Sequence, residues 1–415
     1  MGNGVLVQSE IGPLEKVIIH RPEQGISRVS PRRSDELLFD DIVFLPGIQQ
    51  EHDTFAAVLK KFLGEENVLY INHSLVEALD ADQAAQEEII ARIIDFEELP
   101  SKYVQTLSEL ENSKLAEVLI SGYLPEQDLI LFDPIPNFIF TRDIAVIVND
   151  HVIVTKAAKE ARFRENFLTR FIFYAHPIFS PLRHKASIIN MNDVEIFPRS
   201  KRGEAVSIEG GDLMIINEDY LLMGCSERTT QHAILSLRDE LFRRGVIKNV
   251  VQINIPHDRS YMHIDTIFTM IHRKHVVCYR PLVYDGLSSY VTVYRSGGGE
   301  QIYHSVKDFF MSEIDKTMQF IFSGNGISPY QEREQWTDGC NLVALKPGVA
   351  ITYDRNSKTM DALAAVGYSS MHASEFLASE TDPASLENVI IQIPSSELSR
   401  ARGGSHCMTL PIRRS

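Results

Sequence analysis

The sequence repeats one pattern, in which two short apolar runs flank a turn of two residues. It occurs in the stretches AVIVNDHVIVT, DLMIINEDYLLMG, TIFTMIHRKHVVCYR and NLVALKPGVAITYD. Apolar runs separated by such turns predict β-hairpins. Between two of them, Ala233, Ile234 and Leu237 share one face of a predicted helix in TTQHAILSLRDELFRRG. The repetition therefore favours an α/β fold of hairpin-and-helix modules.

Residues 74–125 differ in composition from the rest of the chain. They consist almost entirely of helix-forming residues, with a break at Pro100. We interpret this region as a helical insertion of several short helices that provides a packing or oligomer surface.

Charge and cysteine content exclude several classes of protein. A formal net charge of −15, with no long basic run to offset it, argues against a nucleic-acid partner. The four cysteines lie far apart without a CxxC pair, which indicates a reducing compartment rather than a disulfide framework or cysteine zinc site. The N-terminus lacks the apolar core of a signal peptide, and no window is apolar enough to span a bilayer. We therefore expect a cytoplasmic protein without a membrane partner.

Polar residues gather at the predicted strand ends in four stretches. These are PNFIFTRDIAVI with Asn137, Arg142 and Asp143, SIEGGDLMII with Glu209 and Asp212, MHIDTIFTMI with His263 and Asp265, and RARGGSHCMTL with Cys407. One charged residue at a strand end is more often a turn or cap residue than a catalyst. The combination points to chemistry, because unpaired charges are costly to bury and the glycine pairs beside Glu209 and Cys407 give the backbone room. If MHIDT is extended, His263 and Asp265 lie on the same face.

Cys407 is a candidate nucleophile. A free thiol has a pKa of about 8.5, so it needs a cationic neighbour to become a thiolate at neutral pH. That neighbour is either protonated His263 or the substrate itself. Asp143 and Asp265 favour a cationic substrate, because carboxylates pair with the planar N–H groups of a guanidinium.

A metal site is the main chemical alternative. Imidazole and carboxylate groups bind zinc, and five such residues are close in sequence: His257, His263, Asp265, His272 and His275. However, His272 and His275 lie at the predicted hairpin turn, away from His263, and the sequence contains neither HExxH nor a paired-cysteine motif. We predict a reaction without a metal or another cofactor.

Several motifs occur together in a characteristic order. FTRD, SIEGGD, MHIDTIFTM, EQWTDGCN, YDRN and RARGGSHCM follow an N-terminal SEIGPLEKVIIHRP, and this series resembles the arginine deiminases over nearly the whole chain. The resemblance implies the pentein fold of the guanidine-modifying superfamily, an α/β propeller of five hairpin-and-helix modules around a pseudo-fivefold axis. It also implies a single catalytic domain spanning residues 1–415, with residues 74–125 as the helical insertion.

The resemblance further implies roles for individual residues. Cys407 is expected to be the nucleophile and His263 the general acid and base, with Glu209 supporting His263 and the substrate guanidinium. Asp143 and Asp265 are expected to hold the guanidinium nitrogens. Phe140 is expected to flank the substrate. The residues expected to read the amino-acid end of the substrate are Asn137, Arg162, Arg228 and Arg402.

The reaction implied by the resemblance is hydrolysis of L-arginine to citrulline and ammonia through a covalent amidino intermediate on Cys407. Two alternatives stay open. One is an amidinotransferase, or a deiminase acting on agmatine or a methylated arginine, and the other is a catalytically silent guanidine-binding protein. The arginines that suit an α-carboxylate favour free L-arginine as the small-molecule partner. We expect the protein to be a homo-oligomer.

One segment is longer than the resemblance implies. Residues 368–398 include the polar stretch ASETDPAS, which predicts a loop. If this segment lies over the mouth of the active site, it alters access to the site or changes oligomer contacts.

Overall fold

Short strands alternate with helices along residues 4–39 and 41–414, which are the residues that the computed structural model describes. The strands are β1 (Leu6–Val7), β2 (Leu14–Ile19), β3 (Val68–Tyr70), β4 (Tyr123–Leu124), β5 (Leu129–Ile130), β6 (Ala145–Val148), β7 (His151–Val154), β8 (Ile188–Asn190), β9 (Leu213–Asn217), β10 (Tyr220–Cys225), β11 (Asn249–Asn254), β12 (Phe268–His272), β13 (His275–Cys278), β14 (Tyr290–Arg295), β15 (Glu300–Tyr303), β16 (Gln319–Phe322), β17 (Val343–Lys346), β18 (Val349–Tyr353), β19 (Ser369–His372), β20 (Val389–Ile393) and β21 (Leu410–Arg414). The α-helices are α1 (Ser34–Leu37), α2 (Leu45–Leu63), α3 (Ile71–Ala81), α4 (Gln83–Phe96), α5 (Lys102–Ser108), α6 (Asn112–Ser121), α7 (Thr141–Ile144), α8 (Phe163–Ala175), α9 (Ser180–His184), α10 (Gln231–Arg244), α11 (Arg280–Val283), α12 (Val306–Phe309), α13 (Tyr330–Trp336), α14 (Ser357–Ala365) and α15 (Ala373–Ala378). Within these described ranges, no helix combines the length and the apolar character needed to cross a membrane.

The four predicted hairpins are confirmed. Antiparallel pairs join β6 to β7, β9 to β10, β12 to β13 and β17 to β18. The turns lie at the predicted positions 149–150, 218–219, 273–274 and 347–348. Asn149 and Gly348 have positive φ, which lets the chain reverse direction within two residues.

Each hairpin is completed by a third strand that returns to it in parallel. β8 pairs with β7 after α8, and β11 pairs with β10 after α10. The same arrangement joins β16 to β13 and β20 to β18. Parallel pairing needs a crossover connection, so the amphipathic helices between hairpins follow from the sheet topology.

The N-terminal and C-terminal strands lie in one sheet with the order β1-β21-β2-β3. Here β21 and β2 form the antiparallel pair, and β3 adds to β2 in parallel after α2. The sheet therefore repeats the arrangement of the hairpin sheets, although its first strand comes from the end of the chain. Over the described residues, five sheets of three or more strands share this arrangement, and β4 with β5 forms a separate pair.

Residues 71–121 form the four helices α3 to α6. Their apolar side chains join one core with α8, in which Leu75, Ile90, Leu119 and Leu168 are fully buried. Helices α3 and α4 both contact α8. Apolar burial therefore attaches this region to the sheet of β6, β7 and β8.

The segment 368–398 contains β19, α15 and β20, with a polar connection that includes Thr381 and Asp382. The Lys61 ammonium of α2 donates to the carbonyl groups of Phe376 at 2.5 Å and Ser379 at 2.6 Å. These contacts attach α15 and the start of the polar connection to α2.

Ile90→Ala tests the attachment of the four helices. Ile90 is fully buried, so truncation should lower the free energy of unfolding by about 2–5 kcal/mol through lost burial and a residual cavity. Chemical denaturation followed by circular dichroism measures the change. Ile130→Ala is the control, because Ile130 is 60% exposed and should change stability by less than about 0.5 kcal/mol. Equal losses in the two variants would contradict the packing described here.

Candidate active site

Each of the five larger sheets has a buried polar residue a few positions before its first strand. These residues are Asp143 before β6, Glu209 before β9, Asp265 before β12, Asn341 before β17 and Cys407 before β21. Cys407, Asp265 and Asn341 contact one another, while Asp143 and Glu209 both bond to Arg162. The two groups adjoin, since the main-chain N–H of Arg142 donates to the Cys407 carbonyl at 3.0 Å. The starts of five sheets therefore supply one buried site.

The Cys407 thiol lies between Asp265 and Asn341. Its Sγ is 3.3 Å from Asp265 Oδ2, and Asn341 Nδ2 donates to it from 3.1 Å. The Cys407 main-chain N–H donates to Asn341 Oδ1 at 3.1 Å, so one amide side chain fixes both the thiol and its backbone. Gly404 permits this approach, because a Cβ there would lie 2.6 Å from Asn341 Oδ1.

The electrostatic surroundings keep the Cys407 thiol protonated. Burial raises its pKa well above the ordinary value, and the negative charges of Asp265 and Asp143 raise it further. A cation placed between the thiol and these carboxylates would oppose both effects and favour the thiolate. The site therefore disfavours the thiolate when no cation is bound beside the thiol.

His263 lies between two carboxylates. Its Nε2 is 2.9 Å from Glu209 Oε2, and its Nδ1 is 3.7 Å from Asp143 Oδ1. Burial lowers the pKa of His263, but Asp143, Glu209 and Asp212 outweigh burial and raise the pKa to about 10. Gly211 leaves room for the ring, since a Cβ there would lie 2.5 Å from Nδ1. At neutral pH the imidazole therefore carries a proton that it can donate.

The condition under which His263 and Asp265 would lie on one face, an extended segment, is not met. Residues Ile264–Thr266 form a 3-10 turn before β12, and the Thr266 hydroxyl donates to the His263 carbonyl at 2.6 Å. Threonine hydroxyls that bond to nearby backbone groups favour turns over strands. Because of the turn, the two side chains have different partners. The His263 imidazole contacts the Glu209 carboxylate, and the Asp265 carboxylate contacts the Cys407 thiol.

Arg162 lies inside the site, whereas the resemblance implies contact with the carboxylate of a substrate. Its Nη1 donates to Asp143 Oδ2 at 2.7 Å and to Glu209 Oε2 at 3.2 Å. Its Nε donates to Glu165 Oε2 at 2.9 Å, and all four side chains are buried. The physical reason is charge balance, because buried carboxylates without a cation would be strongly destabilising. A planar guanidinium therefore occupies the space between Asp143 and Glu209.

Arg228 and Asn137 lie on the periphery of this carboxylate cluster. The Arg228 Nη1 is 3.8 Å from Glu209 Oε1, on the other side of that carboxylate from Arg162. The Asn137 side-chain amide donates to the Leu37 carbonyl at 2.6 Å. Both side chains are buried, so each is held in place before any ligand binds.

The segment just before Cys407 brings Phe140 and Arg402 together. Gly403 packs against Phe140, where a Cβ would lie 2.3 Å from the ring. Arg402 has a φ of 62° and places its guanidinium 3.3 Å from the centroid of the Trp336 ring. Trp336 is 43% exposed, whereas Arg402 is buried, so the Arg402 guanidinium lies beneath a partly exposed ring.

Four residues of the site were not predicted from the sequence. Asn341 fixes the thiol, and Glu165 bonds to Arg162. The His406 ring bridges two carboxylates, with Nδ1 2.9 Å from Asp265 Oδ2 and Nε2 3.1 Å from Glu10 Oε2. Asn341 has a signal in the sequence, because it stands at the start of a predicted hairpin, and Asp143 and Glu209 stand within three residues of the start of theirs.

Asp143, Glu209 and His263 also have the spacing of a metal site. Each offers one ligand atom, and these atoms lie within 4.8 Å of one another. The Arg162 guanidinium already bonds to both carboxylates, through Asp143 Oδ2 and Glu209 Oε2. The geometry and charge of this group therefore suit an organic cation with planar N–H donors.

Comparison with known proteins finds relatives over the whole chain. The family model described as Arginine deiminase matches residues 35–414. The arginine deiminase of Listeria monocytogenes serotype 4b (strain CLIP80459) is 32% identical over 440 aligned positions, which cover 100% of this chain and 98% of that protein.

Two solved structures share the fold. DDAH from Pseudomonas aeruginosa, solved in complex with citrulline, matches with a TM-score of 0.51 and 12% identity over 96% of this chain and 99% of that one. SxtG, an amidinotransferase from Microseira wollei, matches with a TM-score of 0.55 and 13% identity over 99% of this chain and 97% of that one. Both are pentein-fold proteins, so the predicted α/β class and its pentein relatives are confirmed.

Asp265→Asn tests the origin of the raised thiol pKa. The substitution keeps the side-chain size but removes a negative charge 3.3 Å from Sγ, so Cys407 should ionise at lower pH than in the wild type. Ultraviolet thiolate absorbance measures the shift after subtraction of the matching Cys407→Ser titration. Asp219→Asn, at the far end of the β9–β10 hairpin, removes the same charge without a contact to the thiol and serves as control. An unchanged Cys407 titration in Asp265→Asn would contradict the electrostatic account.

Proposed function

The chain belongs to the arginine deiminase family, and we propose that it hydrolyses L-arginine to citrulline and ammonia. Family membership supports the reaction, and the charges of the buried site support a cationic substrate. A silent guanidine-binding protein is disfavoured, because the thiol, the imidazole and the carboxylates of the predicted set are all present and buried together.

One observation carries the proposal: a guanidinium group already lies between the carboxylates of the site. Arg162 bonds to Asp143 and to Glu209, and Glu209 bonds in turn to the His263 ring. The reacting group of free arginine has the same shape, charge and N–H donors. A pocket that stabilises the guanidinium of a side chain has the acceptors to stabilise that of a substrate.

Asp265 offers a further acceptor next to the thiol. Its Oδ2 contacts Cys407 and His406, whereas its Oδ1 is buried and has no hydrogen-bond partner among the described residues. A buried carboxylate oxygen without a donor is destabilising, and a substrate N–H would satisfy it. We assign the two edges of the substrate guanidinium to Asp143 and Asp265, with its carbon facing Cys407 Sγ.

Substrate binding then requires Arg162 to leave its position between Asp143 and Glu209. Its contact with Glu165 keeps the side chain nearby, so that its guanidinium and that of Arg228 can bind the substrate carboxylate. The exchange replaces one buried cation with another and preserves the charge balance of the cluster. The other residues proposed to contact or flank the amino-acid end are Asn137, Phe140 and Arg402.

The first half of the proposed reaction forms a covalent intermediate. The bound cation favours ionisation of Cys407, the thiol proton passes to solvent, and the thiolate attacks the guanidinium carbon. A C–S bond forms, and a C–N bond breaks as His263 protonates the departing nitrogen. Nδ1 is the donating atom, because Nε2 bonds to Glu209. Ammonia leaves, a cationic amidino-thioether stays on Cys407, and this acid catalysis contributes typically about 10²–10⁴-fold.

The second half releases citrulline. Neutral His263 takes a proton from a water molecule while the water oxygen bonds to the same carbon. The tetrahedral adduct collapses, the C–S bond breaks, and the electron pair returns to Cys407 sulfur. Loss of the hydroxyl proton gives the urea group of citrulline, and the thiolate is protonated again. Glu209 orients the ring and stabilises its protonated form in both halves.

The arrangement of the whole chain is also part of the proposal. We infer that the five larger sheets surround a pseudo-fivefold axis with the site at its centre. The recurrence of a site residue before the first strand of each sheet supports this arrangement. We propose residues 1–415 as one catalytic domain and residues 74–125 as its helical insertion, whose packing on α8 supports a structural role.

The cysteines support a reducing location, for which we propose the cytoplasm. All four are free thiols, and Cys278, Cys340 and Cys407 are buried. Assembly as a homo-oligomer and the lack of nucleic-acid or membrane partners stay predictions from the sequence.

Purified protein supplied with L-arginine should form citrulline and ammonia in equal amounts, with a metal chelator present.

Cys407→Ser should lower turnover by at least about 10³-fold, because a serine hydroxyl does not ionise in this pH range. Circular dichroism should show that the fold is kept. Cys278→Ala, in β13 outside the site, is the control and should retain turnover.

Three results would contradict this function. They are near-normal turnover by Cys407→Ser, hydrolysis of agmatine but not of arginine, and transfer of the amidino group to an added amine in place of citrulline formation.

A further inference from the structure

Asp212 is a buried carboxylate outside the set of residues that face the guanidinium. It ends the 3-10 turn Gly210–Asp212 directly after Glu209, and its side chain is fully buried. A buried carboxylate is destabilising unless hydrogen bonds and positive charge compensate it. Its contacts therefore indicate which part of the site it serves.

Both oxygens of Asp212 accept hydrogen bonds. Oδ1 accepts from the main-chain N–H of Ile264 at 2.9 Å, and Ile264 directly follows His263. Oδ2 accepts from the Ser226 hydroxyl at 2.6 Å. Gly224 permits this placement, since a Cβ there would lie 2.2 Å from Oδ1. The carboxylate therefore holds the backbone that carries the imidazole.

Ser226 extends this connection to the loop that carries Arg228. Its Oγ accepts from the main-chain N–H groups of Arg228 at 3.0 Å and Thr229 at 3.2 Å while it donates to Asp212. The Thr229 hydroxyl accepts from the main-chain N–H of Glu209 at 3.3 Å. Directly and through Ser226 and Thr229, the Asp212 carboxylate is therefore connected to the backbone segments that carry His263, Arg228 and Glu209.

The charge of Asp212 acts on the same imidazole. Burial raises the pKa of Asp212 to about 7, and the positive charge of His263 is the largest effect that opposes burial. Conversely, Asp212 helps Asp143 and Glu209 to outweigh burial and raise the pKa of His263. Asp212 therefore becomes negative in the pH range in which an ordinary imidazole, with a pKa of about 6.5, loses its proton.

Other titratable and charged groups also face these two residues. The Cys225 thiol faces Asp212, the Asp265 carboxylate faces His263, and Glu209 is shared with Arg162 and Arg228. Asp212 differs from the other carboxylates in its hydrogen bonds, which it accepts from the main-chain N–H of Ile264, the residue after His263, and from the Ser226 hydroxyl. Removing its charge consequently leaves the acceptors of the guanidinium pocket in place.

We propose that Asp212 is a positioning residue for His263, fixing the main chain at the imidazole and supplying a negative charge that favours the protonated ring. The proposal rests on the proposed function of His263 as the acid that protonates departing ammonia. Without the charge of Asp212, the ring loses its proton at lower pH, and less of the protein holds a proton donor at mildly alkaline pH.

Asp212→Asn is the direct test, because asparagine keeps an acceptor for Ile264 and presents a donor to Ser226. In ¹⁵N-histidine NMR, the His263 ring is assigned from its loss in His263→Asn. Its titration should move to lower pH by about one unit, the size expected for removal of a nearby charge. The alkaline limb of kcat/KM with arginine should move in the same direction.

Ser226→Ala distinguishes the effect of the Asp212 charge from the effect of its hydrogen bond to Ser226. It removes one hydrogen bond to Asp212 but keeps the carboxylate, so it should lower thermal stability and leave the His263 titration unchanged. An unchanged His263 titration in folded Asp212→Asn overturns the proposal.

The wild-type protein gives an independent reading if Asp212→Asn does not fold. The His263 ring resonances should show a second inflection, below the transition of the ring itself, at the pH at which Asp212 ionises, and the absence of such an inflection at every pH at which the protein is folded overturns the proposal. The NMR measurement does not require turnover. If the His263 titration moves in Asp212→Asn as expected but the wild type forms no citrulline, only the proposed function is contradicted.

Discussion

Burial of several carboxylates in one site forces the protein to supply cations, and this charge balance governs the other properties of the site. Asp143 and Glu209 are compensated by the guanidinium of Arg162 and by protonated His263. Burial, together with the negative charges of Asp265 and Asp143, raises the pKa of the Cys407 thiol and so suppresses its ionisation. In the proposed reaction, a substrate guanidinium that takes the place of Arg162 also reaches Asp265 beside the thiol and opposes that suppression, so that binding of the cation favours ionisation of the thiol. This proposal accounts for selectivity towards cationic substrates.

The fold makes this concentration of charge possible because it brings one residue from each sheet to the same place. Strands hold their neighbours rigidly, and a residue just before a strand combines a fixed backbone with a side chain free of the sheet pairing. The glycines near these residues let chains approach closely, as at Gly211 against the His263 ring and Gly404 against Asn341. The Asp212 carboxylate has a different role, because it bonds to the main chain at Ile264 and to Ser226 and lies outside the residues assigned to the substrate.

What the sequence predicts depends on how local the responsible interaction is. The hairpin at 149–150 was predictable because its apolar runs and its turn residues are contiguous. The pairing of β21 with β2 was not, since it joins the two ends of the chain. The resemblance predicts residues that the fold brings together, but the inward direction of Arg162 depends on three buried carboxylates, those of Glu165, Asp143 and Glu209. The turn at His263 was missed because the alternation rule assumes a strand, whereas the Thr266 hydroxyl stabilises a 3-10 turn.

The most direct test of a thiol activated by a bound guanidinium is mass spectrometry of the peptide that contains Cys407. His263→Asn impairs the protonation of departing ammonia as well as the activation of water, so the covalent species is sought both in this variant after long incubation with L-arginine and in acid-quenched wild type during turnover. The account predicts that this peptide gains the mass of arginine less ammonia, and that Cys407→Ser abolishes the gain. An unmodified Cys407 in His263→Asn and in acid-quenched wild type, while the wild type still forms citrulline, would contradict it.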